Sequence, residues 1–276
     1  MPDQSADRYL LVGPHHTIAA QLDAADLRRC GISAEAMRQR VSVDKRRQLY
    51  AVQADAAALE RAAAAGATLC GPGDPEFWEG SIAGEGELLR ALALVKAKAS
   101  THFHPADGSA LDYAADSARA RGSSGWVFPR IDPAVIGVVE LLDQHRILVG
   151  RNAQRSQYFS LIAGYVEPGE SIEAAFVREV LEETGRRLDE VRYVASQPWP
   201  LSGSLMLGMY GTTADVEAHC VTDNELRETR WVSASDIREQ RFPQPRVGSI
   251  AHSMMHAWAA GRLFEALRAS TTRTQP

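Results

Sequence analysis

Cysteine is scarce in this chain. Cys30, Cys70 and Cys220 are the three among 276 residues; the number is odd and no C-x-x-C pair occurs, which excludes a disulfide framework and a cysteine-built zinc site. A reducing cytoplasm is the compartment expected from this usage. Long apolar runs are missing too. Nothing approaches the ~18 residues that cross a bilayer, and the opening MPDQSADRYLLVG has no basic segment ahead of an apolar one, so neither membrane insertion nor export is expected. Basic charge is not in excess: 30 Lys and Arg against 35 Asp and Glu leave a formal charge of -5. A broad nucleic-acid footprint is therefore not expected, and any polyanion must meet its cations locally.

What is present suits a globular protein of two domains, since the length exceeds the usual single domain while the apolar (45%) and charged (24%) fractions are ordinary. The first hundred residues alternate short strand-like pieces with Ala-rich helical ones, AVQADAAALERAAAAG (51–66) and GELLRALALVKAKAS (86–100). They predict a smaller N-terminal α+β domain over 1–100 and carry no evident chemistry. Residues 101–125, rich in Ser, Gly, Ala and Asp, predict a connector. From 126 to 276 the texture changes. AVIGVVELL and RILVGR flank Asp143, Gln144 and His145, a hairpin loop without glycine; YFSLIAGYV, VRYVAS, SLMLGMYG and ETRWV read as further strands; 171–187 and 247–269 read as helices. The order suggests an α/β (α+β) sandwich, a sheet covered by helices on its faces.

The densest chemistry lies in GYVEPGESIEAAFVREVLEETGRRL, residues 164–188. At 100° per residue, Ile172, Phe176, Val177, Val180, Leu181 and Thr184 occupy one half of a helix, and Glu179, Glu182 and Glu183 share an arc of about 100° along its border. Ala175 lies one turn earlier in that arc, so the edge is expected to be open as well as acidic, and Ser171 can cap the helix start. Arg178 to Glu182, Glu182 to Arg186 and Glu183 to Arg187 have the spacing of helical ion pairs, the pattern of an ordinary solvated face. Glu179 and Glu183, however, are a like-charge i,i+4 pair, which costs stability unless a cation lies between them. Hard divalent cations take such oxygen ligands, and Mg²⁺ commonly binds one or two carboxylates together with substrate phosphates. The pattern predicts a metal platform for a phosphorylated substrate.

Gly164, Glu170, Arg178, Glu179, Glu182, Glu183 and Gly185, with apolar Val180 after Glu179, stand at the spacing of the Nudix box, whose seven fixed residues would match by chance at about 10⁻⁸ per position. The sequence thus resembles the Nudix hydrolases. The resemblance implies a mixed sheet sandwiched between helices and hydrolysis of a nucleoside diphosphate linked to a second group. It also implies Mg²⁺ or Mn²⁺ on Glu179 and Glu183, with Glu182 as a further ligand or water-orienting base and the Ala163 carbonyl completing part of the shell. Arg178 would pair with Glu170 and hold the loop to the helix. Arg186 departs from the pattern, which has a hydrophobic residue there, and is expected to loosen the helix end.

SQPWPLSGSLMLGMYG (196–211) and FPRIDPAVIGVV (128–139) resemble the NADH pyrophosphatase (NudC-like) branch of that superfamily. Pro198 and Pro200 fix φ on either side of Trp199, and Gln197 is a two-sided hydrogen-bonder. By resemblance Gln197, Trp199, Ser204 and Ala251 line the substrate site, Glu225 is a distal metal ligand, Tyr165 stacks on a base, and Phe128 reaches across a homodimer to the same base. Leu201 and Ser202 replace the branch's Phe and Pro, bearing on selectivity. The branch often holds its connector with four cysteines on zinc; none occurs between 71 and 219. His102, His104 and Asp107 fall short of a tetrahedral shell, so they are expected as surface loop residues and no structural zinc is expected. The implied reaction cleaves NAD(H) to nicotinamide mononucleotide and AMP, with NAD-capped RNA as a further candidate substrate. ADP-ribose, dinucleoside polyphosphates, or a non-catalytic nucleotide-sensing role are the alternatives.

Overall fold

A computed structural model describes residues 7–82, 86–154 and 157–266. The chain divides into two compact units with the break at Ile131 and Asp132; the first also takes the turn Pro200–Gly203, and the second also takes residues 80–82.

In the first unit, strands β1 (Arg8–Val12), β2 (Ile18–Leu22), β3 (Val41–Asp44), β4 (Leu49–Gln53) and β5 (Thr68–Cys70) form a sheet in the order β3-β4-β1-β2-β5. Helices α1 (Ala24–Arg29), α2 (Ala34–Arg38), α3 (Ala56–Ala64) and α4 (Glu87–Ser100) accompany it. Asp23, Ser33 and Asp55 cap the first three helices by accepting hydrogen bonds from first-turn amides, which satisfies donors that would otherwise face away from any partner. Tyr9, Leu11, Leu22, Leu27, Val52 and Leu59 are among the side chains of the core. Lys96 of α4 donates to the carbonyls of Pro200 and Leu201, 2.8 Å each, which is why that turn belongs to this unit.

The stretch expected as a connector holds regular structure. β6 (Asp112–Tyr113), β7 (Ala120–Gly122) and β8 (Gly125–Val127) make a three-stranded antiparallel sheet. Asp107 organises the turn beside it, accepting from the Ser109 amide (2.8 Å), the Ser109 hydroxyl (2.6 Å) and the Ser124 hydroxyl. His104 is buried rather than a surface loop residue; its Nδ1 accepts from the Ala106 amide at 3.2 Å. His102 is exposed.

In the second unit, β9 (Asp132–Leu141), β10 (Arg146–Asn152), β11 (Ile162–Tyr165), β12 (Glu190–Trp199), β13 (Ser204–Thr213) and β14 (Leu226–Ser233) form a mixed sheet in the order β12-β13-β9-β10-β14, with β11 also on β9. The β13–β9 pair is parallel and the others are antiparallel. Helix α5 (Ile172–Thr184) packs on one face over Val135, Val139 and Leu148, while Ile136 and Val138 of the same strand face a core shared with Ile250 and Met254 of α7 (Ile250–Ala259). Covering on both faces explains the nearly unbroken apolar run of β9. Phe176 of α5 is fully buried; truncation to Ala costs about 3–5 kcal/mol.

The glycine-free hairpin exists because His145 supplies the left-handed residue (φ 47°, ψ 52°) that glycine would ordinarily provide. Pro198 lies within β12, which is tolerated because β12 is an edge strand. The single helix expected over 247–269 is broken: α7 ends at Ala259, Gly261 takes φ 67°, and α8 (Leu263–Ala266) follows. A short α6 (Ala234–Arg238) precedes them, and the last residues of that expected helix lie outside the described ones. Among the described residues no helix is long and apolar enough to cross a membrane.

Candidate active site

The acidic helix is tilted further inward than its sequence pattern suggests. Ala175 is fully buried and Val177 is 38% exposed, so the buried face of α5 runs through Ala175, Phe176, Glu179, Val180, Glu183 and Thr184. The expected open border is thus two buried carboxylates, Glu179 and Glu183, with exposed Glu182 beside them. Ser171 caps the helix start (Ala174 amide to Oγ, 3.2 Å), and Gly185 closes the end at φ 67°, where its amide reaches the Leu181 carbonyl.

The box glycine at 164 has a steric purpose. A Cβ there would lie 1.9 Å from Cδ of Glu179 and 2.0 Å from its Oε1, so only glycine lets that carboxylate lie flat against β11. Arg178 ties the parts together. Its Nε and Nη2 donate to Oε1 and Oε2 of Glu170 at 2.8 and 2.9 Å, and Nη2 also donates to the Tyr165 carbonyl at 2.9 Å. Nη1 donates to Glu179 Oε1 (2.9 Å) and Glu182 Oε2 (3.0 Å). These bonds, with one from the Glu167 amide, hold the Glu170 carboxyl down at about 2.

Glu183 has no such relief. It is 4% exposed, and its Oε2 is buried with no hydrogen-bond partner among the described residues. Burial first, then the charges of Glu225 and Glu179, push its pKa up to about 9. Burial also raises Glu179, against the opposing pull of Arg178. An orphaned, desolvated carboxylate oxygen among like charges costs free energy that a positive partner would recover. A hard dication fits this donor set. It is not a preformed shell: among the described residues no three His, Cys, Asp or Glu side chains gather closely enough to hold a metal ion, and Arg178 already engages Glu179 and Glu182.

The other expected residues divide. Ala163 is half-buried on β11, paired with Ile136. Glu225, just before β14, accepts from Asn152 Nδ2 at 3.1 Å and acts electrostatically on both buried glutamates. Tyr165 is 54% exposed with its hydroxyl 3.3 Å from that of buried Ser204, and Trp199 is half-buried at the end of β12. Gln197 and Ala251 lie in the interior. The Gln197 amide nitrogen donates to the Ser81 hydroxyl (2.6 Å) and the Gly248 carbonyl (2.7 Å), and its oxygen accepts from the Ile250 amide (2.7 Å). Its two-sided bonding fastens β12 to the start of α7. Phe128, in the first unit, is exposed.

Arg186 does not loosen the helix end. It is buried and donates to the carbonyls of Thr184 and Val216, while Arg187 pairs with Asp215 and not with Glu183. Sequence reasoning passed over Asp223, which also raises Glu183, and Asn152, which orients Glu225. Asp223 had a signal, lying two positions before Glu225; Asn152, 73 residues away, had none.

Residues 132–252 match the family model of the NUDIX domain, and the second unit, which begins at Asp132 apart from its residues 80–82, therefore carries a NUDIX domain. Curated relatives include the NAD-capped RNA hydrolase NudC of Mycobacterium bovis (strain BCG / Pasteur 1173P2), 37% identical over 145 residues that cover 48% of this chain and 46% of that protein. The NAD-capped RNA hydrolase NUDT12 of Homo sapiens is 37% identical over 139 residues, 48% of this chain and 30% of that protein. The match spans about half the length of these relatives or less. It supports the NudC-like branch that the box and the SQPWP stretch resemble. Among solved structures, a NUDIX hydrolase from Nitrosomonas europaea is similar at 19% identity and TM-score 0.48, covering 59% of this chain and 92% of that one.

Proposed function

We propose that this protein hydrolyses the diphosphate of NAD(H), or of an NAD cap on RNA, releasing nicotinamide mononucleotide and AMP or 5′-phosphorylated RNA. The observation that carries the reading is the buried Glu183 carboxylate, whose Oε2 lacks a partner while Glu179 and Glu225 press on it electrostatically. Glu179, Glu183 and Glu225, with Glu182 and the Ala163 carbonyl, would hold Mg²⁺ or Mn²⁺. Such an ion, when bound, neutralises diphosphate oxygens and lowers the pKa of the attacking water. Arg178 keeps Glu179 and Glu182 oriented and anchors the loop at Glu170. In the proposed step the water oxygen bonds to one phosphorus, the bridging P–O bond breaks with the leaving phosphate taking its electron pair, and Glu182 is proposed to take the water's proton.

Tyr165 and Trp199 are the proposed stacking partners for the dinucleotide bases, beside the Ser204 hydroxyl. Gln197 and Ala251 are proposed to shape that wall from behind. For Phe128 the proposal is a reach across a homodimer, and its exposed ring supports that reading. The buried thiols of Cys30 and Cys70, free of disulfides, are compatible with the cytoplasm. The test is turnover of NADH, NAD⁺, NAD-capped RNA, ADP-ribose and diadenosine polyphosphate with Mg²⁺ or Mn²⁺, with products identified. Nicotinamide mononucleotide from NAD⁺ and NAD-capped RNA, and its reduced form from NADH, in preference to cleavage of the last two, are expected; preference for ADP-ribose or the polyphosphate would overturn the assignment.

A further inference from the structure

The three-stranded sheet of the first unit presents an unusual face. Arg121 of β7 and Trp126 of β8 are register partners, and Arg119, just before β7, also brings its guanidinium over the Trp126 ring. The guanidinium carbons lie 5.0 Å (Arg119) and 5.8 Å (Arg121) from the Trp126 ring centroid. All three residues are exposed, Trp126 by 47%. Asp112 is the register partner of Arg121 on the other side, yet among the described residues neither arginine forms an ion pair. Stacked on the ring, the two cations are held in place with their charge unneutralised, in a chain whose formal charge is -5. That is where a polyanion can meet cations locally.

We infer that Arg119, Arg121 and Trp126 form a binding platform for single-stranded RNA, the segment that follows the cap in a capped substrate. A half-open indole offers a π-surface to any base, so the contact is tolerant of sequence. Guanidinium groups held beside it supply donors for phosphate oxygens and planes on which bases stack. A free dinucleotide has no such segment. The inference rests on the proposed function only for the identity of the substrate; RNA binding itself is a separate property.

Two measurements separate the possibilities. In the first, binding of an uncapped, fluorescein-labelled single-stranded RNA is followed by anisotropy over a salt series. Wild-type protein should bind with an affinity that falls with salt, and Arg119→Gln/Arg121→Gln should weaken binding about tenfold or more and flatten the log–log salt slope by about 1.4, at ~0.7 per phosphate contact. Trp126→Ala should weaken binding similarly, with Trp126→Tyr restoring most of it. In the second, the same variants are assayed on NAD-capped RNA and on NADH. The capped substrate should lose about tenfold in kcat/KM at low salt while NADH turnover is unchanged. Equal losses on both substrates, or a shift from dimer to monomer in light scattering, would make this face structural or an interface between copies and overturn the platform. RNA binding indifferent to all three variants would overturn it as well. If wild type cleaves neither substrate but binds RNA in the salt-dependent, Arg-dependent way, the proposed function fails and the platform stands.

Discussion

Two carboxylates, one in each unit, show opposite answers to the same problem. Asp107 accepts three hydrogen bonds from Ser109 and Ser124, with His104 at 3.7 Å, and these hold its carboxyl well below the usual carboxylate range, Ser109 contributing most. Glu183 is buried, one oxygen has no partner, and its pKa rises to about 9 through burial and the neighbouring acids. Asp107 is complete as it stands and ties a turn together. Glu183 is an incomplete site, stable in the fold because Phe176 and Val180 beside it are fully buried, and its deficit is one a cation can fill. Charge alone does not mark a ligand; a carboxylate left without donors does.

The largest effect that sharpens this contrast is at Glu183. Glu183→Gln keeps the shape and removes the ability to become a charged ligand, so turnover should fall by more than about a hundredfold while the metal-free protein at neutral pH melts at the same temperature or higher, since folding no longer requires that buried site to take up a proton. Folded protein keeps the Glu183 proton where the unfolded chain gives it up. In chelator-treated wild type that contribution to stability is whole below the ordinary carboxylate pKa and is lost as pH rises toward about 9. The Gln variant should flatten that alkaline slope. Near-normal turnover with an unchanged slope would break the comparison.

A smaller effect is expected at Gly164. Its φ is not in the left-handed region, so Ala strains no backbone there; the new methyl would instead meet the Glu179 carboxylate at 1.9–2.2 Å. Gly164→Ala should therefore lower activity on the order of tenfold or more by displacing one carboxylate, and a Ser171-capped helix with an unaltered melting temperature should accompany it. Loss of stability without loss of activity would show that the glycine serves packing only.

The site's legibility in the sequence followed the range of its interactions. Like-charge spacing of Glu179 and Glu183 and the Ser171 cap depend on one helix, and residue order displays them; the Arg178–Glu170 pair, between that helix and its adjoining loop, came from the resemblance to the Nudix box. The inward tilt of α5 depends on which β-strands lie beneath it, so Ala175 and Val177 exchanged their expected places. The two-sided bonding of Gln197 was legible from its side chain, but its partners were not, because the fold brings Ser81 to it from 116 residues away. Residues 101–125 read as a connector because their strands are two or three residues long and rich in Ser and Gly, too short for any periodicity to emerge. Side-chain bonds from Ser109 and Ser124 to Asp107 tie the turn beside their sheet, and neither bond is signalled by residue order.

The smallest effect on activity, and the other half of the contrast, is expected at Asp107. Its pKa is depressed on folding, so its contribution to stability is present above the unfolded carboxylate pKa and is lost as pH falls through the folded value. Asp107→Asn keeps an oxygen to accept from Ser109 but presents an NH₂ where the Ser124 hydroxyl donates, and it removes the charge that strengthened every bond in the turn. The variant should lower the melting temperature of the first unit at neutral pH, and the difference from wild type should shrink on acidification as the wild-type carboxyl takes up its proton. NADH turnover at neutral pH should change less than in either active-site variant, because the bonds that Asp107 accepts come from Ser109 and Ser124 of its own unit. Circular dichroism melts between neutral and acid pH, run beside the NADH assay, decide it: a melting temperature that does not respond to the substitution would remove Asp107 as the organiser of the turn, and a hundredfold loss of turnover would erase the distinction between a satisfied carboxylate and an unsatisfied one.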